Sequence, residues 1–242
     1  MSTYVMSDLH GLWDRYEKVK QFIDLKHDTL YVLGDVIDRG KDGIAILEDM
    51  MKEANVHLIL GNHEWMMLQY YRSLADGKYS LYERLVFEDR WHRNRNDFTK
   101  YYFEKLSGKR QKALLTYLEQ ALLCIGDLSL QQHHFYLVHG SPREEFKNRD
   151  VYVYEYIKDE NIIDACVWNR MDEQYVEIAD RMVITGHTPT CYLQPDLPYQ
   201  IYPSNEQLEK AKYIDIDCGC ACQDAYTQLC LLRLDDLNVF YF

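Results

Sequence analysis

What the chain lacks narrows its class first. Nowhere in its 242 residues do about 18 apolar residues run together, and Met1-Ser2-Thr3-Tyr4-Val5-Met6 has no basic segment leading into a long apolar one. Neither a membrane span nor a signal peptide is expected, and the chain reads as soluble and cytoplasmic. Positive charge is scarce: 27 Lys and Arg against 39 Asp and Glu leave a net charge of -12. No nucleic-acid partner is expected, since binding a phosphate backbone needs a cationic face. A small phosphorylated substrate stays open, because bound cations can supply the charge. No second C-x-x-C pair completes a thiolate set with Cys218, Cys220 and Cys222, so these read as small buried or half-buried residues in a turn. Seven cysteines, an odd number, fit free thiols in a reducing compartment. Repeats, low complexity and flexible linkers are absent, so one domain over 1–242 is expected, and 47% hydrophobic residues suffice for a large core.

What is present is organised around Leu33-Gly34-Asp35-Val36-Ile37-Asp38-Arg39-Gly40. The segment follows a β-prone run and precedes a helical pattern, which puts its acids at the carboxyl end of a strand, where α/β sheets place ligands. Thr3 to Met6 leads likewise into Asp8-Leu9-His10-Gly11, and Val56 to Leu60 into Gly61-Asn62-His63-Glu64. Asp8 to Asp35 and Asp35 to Asn62 are each 27 residues (35-8 and 62-35), the rhythm of successive βα units with parallel strands. Asp8 and His10 are two apart, so on an extended backbone both side chains face one side.

Residues 64–123 read as a helical cap insertion. Its Arg90-Trp91-His92-Arg93-Asn94-Arg95-Asn96 is the most basic stretch of the chain, by default a solvated helix face and otherwise an anion-attracting rim. Strands are expected at 122–130 and 134–138, with a hairpin around 131–133, then at 182–185, 213–217, 227–233 and 237–242. The run at 134–138 ends at His139-Gly140, and the run at 182–185 at Gly186-His187.

Four of nine histidines, His10, His63, His139 and His187, follow apolar runs at strand ends. With Asp8, Asp35 and Asn62 they supply six N/O ligands besides His63, a set suited to two divalent ions such as Mn2+, Fe or Zn2+. Two such cations, about 3.5–4 Å apart, lower the pKa of a bridging water, clamp a phosphoryl group and let hydroxide attack phosphorus directly. Asp35 is the natural bridge. His63 serves as general acid if Asp38 orients its ring, and Arg39 and Arg170 hold the non-bridging oxygens.

These five motifs, in this order, resemble the signature of the phosphoprotein phosphatase (PPP) family of metallophosphoesterases. Val167-Trp168-Asn169-Arg170 and Ile216-Asp217-Cys218-Gly219 look like segments of its small bacterial and phage-type branch. The resemblance implies an α/β, calcineurin-like fold: a central β-sandwich of two mixed sheets flanked by helices. It implies a first metal on Asp8, His10 and Asp35, and a second on Asp35, Asn62, His139 and His187. His63 with Asp38 would be the acid pair, and Arg39 and Arg170 the phosphate contacts. A departure lies in the cap, where related phosphatases carry Asn-Gly-Gly after a Trp and this chain has Asn94-Arg95-Asn96 after Trp91.

The expected activity is hydrolysis of phosphoserine, phosphothreonine and small phosphate monoesters, with a phosphorylated protein or small phosphate ester as partner. The alternative is a diadenosine polyphosphate hydrolase on the same scaffold. In the symmetrically cutting hydrolases the loop resembles Gly-Asp-Leu-x-Ala-Arg-Gly, and Asp38 tilts the expectation away from them. A silent phosphate-binding scaffold is the reading from a different class.

Overall fold

The computed structural model describes residues 1–131, 133–170, 176–222 and 226–242. Strand β1 (Thr3–Met6) is followed by helix α1 (Trp13–Phe22), strand β2 (Thr29–Leu33), helix α2 (Gly43–Met50) and strand β3 (Val56–Ile59). β1, β2 and β3 lie side by side and parallel, Thr3 opposite Thr29 and Leu30 opposite Val56. The 27-residue rhythm is thus two βα crossovers, and it delivers three loops to one sheet edge. Ile44, Leu47 and Met50 form the buried stripe of α2, at spacings that return to one helix face.

Four helices then precede the next strand: α3 (Asn62–Ala75), α4 (Leu81–Arg93), α5 (Asp97–Glu104) and α6 (Gly108–Glu119). Ser80 begins α4 with a reciprocal cap, its hydroxyl accepting from Glu83 N–H while Glu83 accepts from Ser80 N–H. Among the described residues the further strands and α-helices are β4 (Leu122–Leu130), β5 (His133–Val138), β6 (Asp150–Tyr152), α7 (Val153–Tyr156), α8 (Glu160–Trp168), β7 (Met182–Thr185), α9 (Thr190–Leu193), β8 (Tyr202–Pro203), β9 (Tyr213–Asp215), β10 (Cys230–Arg233) and β11 (Asn238–Tyr241). Among the described residues, no helix is long and apolar enough to cross a membrane.

The two layers of the expected sandwich are one mixed sheet, in the order β11-β10-β1-β2-β3-β4-β5-β7-β9-β8, with β6 on the side of β4. The chain passes from one layer to the other through β4, whose register against β5 slips between Ile125 and Leu128. Such a bulge bends a strand. The expected hairpin joins β4 to β5, with Leu130 opposite His133; Gln132 lies outside the described residues.

Alternate residues of the strands pack on opposite faces. Val5, Leu33, Ile59, Leu137, Ile184, Ile214 and Leu232 meet between the layers. Met6, Val32, Leu58, Val138, Val183 and Leu231 pack outward with Tyr16, Leu47, Met66 and Val167 of the helices. A side chain fully buried in this way contributes roughly 1.5–3 kcal/mol. Strands covered on both faces read as unbroken apolar runs, which is why 182–185 was legible.

Two strands fall short of their sequence pattern by two residues or more at one end. β9 stops at Asp215 because that side chain accepts the N–H of Asp217 at 2.9 Å and starts a turn. β10 begins at Cys230, not Thr227, because its pairing ends there: Leu231 is its first residue opposite β1 and Cys230 its first opposite β11, across from Tyr241.

Candidate metal centre

Asp8 and His10 leave β1, Asp35 leaves β2, Asn62 and His63 open α3 just after β3, His139 follows β5 and His187 follows β7. All seven are buried. The extended backbone expected for Asp8 and His10 is not how they converge. Asp8 has φ 57° and His10 φ 45°, and Asp35 (52°), Asp38 (68°), Arg39 (61°) and His187 (69°) are also left-handed. A side chain in that region costs about 1–3 kcal/mol and persists only where surrounding bonds dictate it. The loops turn sharply because they are bonded to one another: Asp8 N–H donates to the Gly34 carbonyl at 3.2 Å and Gly11 N–H to that of Val36 at 2.7 Å.

Glu64 imposes much of that shape. Its Oε2 accepts the N–H of Asp35 at 2.8 Å and of Gly61 at 3.1 Å, and its Oε1 those of Val36 at 2.9 Å and Ile37 at 3.1 Å. The loop after β2 is therefore wrapped around one buried carboxylate on the first turn of α3. Gly34, at φ 72°, lets the two loops touch: a Cβ there would lie 2.3 Å from Gly61 N.

Three histidines are fixed so that a lone pair faces inward. His10 Nδ1 lies 3.1 Å from the Ile37 carbonyl, His139 Nδ1 2.6 Å from that of Leu33, and His187 Nε2 3.1 Å from that of Trp168. A carbonyl only accepts, so each of these nitrogens carries the hydrogen and the other nitrogen is bare. His139 Nε2 and His187 Nδ1 then face Asn62 Oδ1 at 3.0 and 3.1 Å, acceptor against acceptor. Asp35 Oδ1 lies 3.5 Å from His139 Nε2, and its Oδ2 lies 3.7 Å from His10 Nε2 and 3.8 Å from His63 Nε2. Asp8 Oδ1 is 3.9 Å from His10 Nε2, while its Oδ2 accepts from Ser7 Oγ and from His187 N–H. Turning the Asn62 amide over would relieve the contact by donating to His139, His187 and Asp35. Two donors held about 2.1 Å from one ion sit roughly 3–3.5 Å apart, so this spacing and this excess of lone pairs suit cations.

Electrostatics agree. Burial, reinforced by Asp35, pushes Asp8 up to about 6 against the opposing pull of His139, and burial pushes Asp35 up to about 7. Burial holds His10 and His187 well below their ordinary value, with Arg39 adding to the effect at His10 and His139 at His187. Neutral histidines are the protonation state a metal ligand needs, and a nearby cation would relieve the penalty on the two carboxylates. Among the described residues, His10, Asp35 and His63 form one group able to hold an ion, and Asp35, His139 and His187 another, with Asp35 common to both. Neither includes a cysteine. Cys218 and Cys220 are buried free thiols, and Cys222 is half-buried.

His63 Nδ1 lies 2.6 Å from Asp38 Oδ2, leaving Nε2 toward the centre. Two residues that sequence reasoning left without a role hold Asp38: Trp91 Nε1–H donates to Oδ2 at 2.8 Å, and Thr99 Oγ1 accepts the Asp38 N–H at 2.8 Å. Burial raises Asp38 to about 8 and lowers His63. Glu64 was the other omission, and its signal was present as an acid three positions after the residue that caps α3. No comparable local signal marks Trp91 or Thr99.

Above the centre opens a cleft of about 500 Å³, with Asp35, Asn62, His63 and His187 in its lining. Arg39 and Arg170 line it too, as do Arg93, Arg95, Trp168 and Tyr192. The basic stretch is therefore not simply a solvated face. Trp91 and Asn96 are buried, Arg93 and Arg95 stand at the cleft, and the Arg95 carbonyl accepts the Arg39 N–H at 3.0 Å.

A family profile described as calcineurin-like phosphoesterase matches residues 1–191. The symmetrical bis(5'-nucleosyl)-tetraphosphatase of Wigglesworthia glossinidia brevipalpis is 34% identical over 77 residues, 31% of this chain and 28% of that protein. The match thus spans under a third of that relative's length. A Saccharomyces cerevisiae protein serine/threonine phosphatase superposes at a TM-score of 0.56 with 14% identity, covering 100% of this chain and 79% of that one. A cold-active protein-tyrosine phosphatase of Shewanella gives 0.55 and 18%, covering 99% and 80%. At such identities the last two likenesses concern the fold.

Proposed function

Because the chain belongs to the calcineurin-like phosphoesterase family, we propose that it is a dinuclear-metal hydrolase that cleaves the phosphoanhydride of dinucleoside polyphosphates. Asp8, His10 and Asp35 hold one divalent ion in this reading, and Asp35, Asn62, His139 and His187 the other. Manganese, iron or zinc bound there supplies positive charge to the phosphoryl oxygens and acidifies a water.

The observation that carries the substrate class is the rim. Four arginines, Arg39, Arg93, Arg95 and Arg170, line one cleft of a chain whose net charge is -12. A single phosphomonoester engages two of them in bidentate pairs, whereas a polyphosphate chain presents charge to all four. Arg39 and Arg170 bind the phosphoryl group under attack, and Arg95 the outer phosphates, together with Arg93, which exchanges its 2.8 Å ion pair with Asp89 for them. His63 Nε2 holds the proton for the leaving oxygen, and Asp38 keeps the ring turned. An arriving anion favours the protonated ring, which offsets the burial that lowers His63. The tetraphosphatase from Wigglesworthia supports the same substrate class.

The second reading, a phosphoserine and phosphothreonine phosphatase, is favoured by the buried His63–Asp38 pair. A serine alkoxide is a poor leaving group and needs a proton; a nucleotide leaves readily without one. Mn2+-dependent hydrolysis of diadenosine tetraphosphate and of a phosphoserine peptide, at matched concentrations, separates the two. Preference for the dinucleotide is expected. Preference for the peptide moves the conclusion to the second reading, and no turnover of either leaves a phosphate-binding scaffold.

A further inference from the structure

A second cavity, of about 560 Å³, opens between α4 and α8 and is lined by Arg90, Asn94, Asn161, Asp164, Trp168 and Asn169. Asn94 and Trp168 line the metal cleft as well, so the two spaces share a wall. The lining combines an indole, three amides, a carboxylate and the Arg90 guanidinium.

Three of these side chains are held in place. Buried Trp65 donates its indole N–H to Asp164 Oδ1 at 2.7 Å, so Asp164 keeps its other oxygen as an acceptor. Asn94 Nδ2 donates to the Arg90 carbonyl at 2.8 Å, and Arg90 Nη1 approaches Gln69 Oε1 at 3.5 Å. Gln69 in turn donates to Glu160 of α8 at 2.8 Å, a bond that ties the helix carrying Asp164 to α3.

We propose that this pocket is a nucleoside subsite, taking an amino-bearing base such as adenine whose phosphates lie in the adjoining metal cleft. The proposal rests on the dinucleoside polyphosphate reading for the chain of phosphates, and on the pocket alone for the base. An indole offers a stacking face to any base. A carboxylate accepts the N–H of an exocyclic amine, and side-chain amides donate to and accept from the same ring edge. Neither the metals nor the four arginines distinguish a nucleotide from inorganic polyphosphate, whereas this pocket does.

The test compares adenosine 5'-monophosphate with ribose 5-phosphate, which carries the same phosphate without a base. Binding to the purified chain is followed by the Trp168 indole N–H resonance, assigned with Trp168→Phe. Adenosine monophosphate is expected to bind on the order of 10-fold more tightly. Asn161→Ala and Asp164→Ala should each remove most of that preference and leave ribose 5-phosphate unaffected. Asn161 is exposed, so its variant stays informative if loss of the Trp65 bond unfolds Asp164→Ala. Equal affinities in the wild type, or a preference that survives both substitutions, overturn the subsite. A preference lost in the variants, in a chain that does not cleave diadenosine tetraphosphate, overturns the function proposed above and upholds the subsite.

Discussion

The indole N–H of Trp91, on cap helix α4, donates at 2.8 Å to Asp38 Oδ2, the oxygen that also holds His63. The cap therefore does more than border the cleft. Replacing Trp91 with Phe keeps most of the buried ring and removes the donor. With Asp38 less firmly held, kcat on a substrate with a poor leaving group, phenyl phosphate, should fall roughly 10-fold. p-Nitrophenyl phosphate, which leaves easily, should lose much less. Equal losses on both substrates would show that Trp91 acts through packing alone.

His63→Asn removes the group assigned to protonate the leaving oxygen. Turnover of poor leaving groups should fall by about 10²–10⁴, the ordinary worth of a general acid. Metal content, read by atomic emission, should not change, because Asp8, His10, Asp35, Asn62, His139 and His187 remain. Retained turnover sinks the role.

Glu64→Gln tests the loop. One carboxylate accepts four backbone N–H groups, and a carboxamide turns its own NH2 toward some of them. A loss of about 3 kcal/mol is expected, equivalent to a fall in Tm of roughly 6–12 °C for a chain of this size. Differential scanning calorimetry of metal-free protein gives the answer, and an unchanged Tm would mean that the loop holds itself.

Metal binding should release protons in a defined pH window. Without metal, Asp8 titrates at about 6 and Asp35 at about 7, both raised by burial, while His10 and His187, held well below 6.5, are already neutral. Cations need the carboxylates ionised, so affinity should weaken as pH falls through 7 and then 6, with protons expelled on binding there. The folded chain also binds these protons more tightly than does the unfolded chain, whose carboxyls titrate at 3.8, so the metal-free form loses stability as pH rises from about 4 to about 6 on account of Asp8 and to about 7 on account of Asp35. Titration calorimetry at about pH 6 and pH 8, in buffers of different ionisation enthalpy, counts the protons. A count that rises toward pH 8 contradicts the assignment.

Much of this was legible before the fold was known. Asp8, Asp35, Asn62, His139 and His187 stand at ends of apolar runs, and periodicity reports such ends because a strand covered on both faces needs an unbroken apolar core. Their convergence follows from parallel pairing of β1, β2 and β3. The extended geometry expected at Asp8 and His10 failed because both are left-handed, a state enforced by contacts with the next loop: His10 N–H donates to the Asp35 carbonyl at 2.8 Å.

The sequence by itself determined which residues meet at the sheet edge, since strand runs and their spacing are local properties that composition and order encode. Only the tertiary structure decided what surrounds them: Trp91 and Thr99, 53 and 61 positions from Asp38, Arg93 and Arg95 lining one cleft with Arg170, and the pocket that shares Trp168 with it. Those relations depend on how α4, α5 and α8 pack on the sheet. No local preference sets the distance between side chains so far apart in the chain; the packed core does.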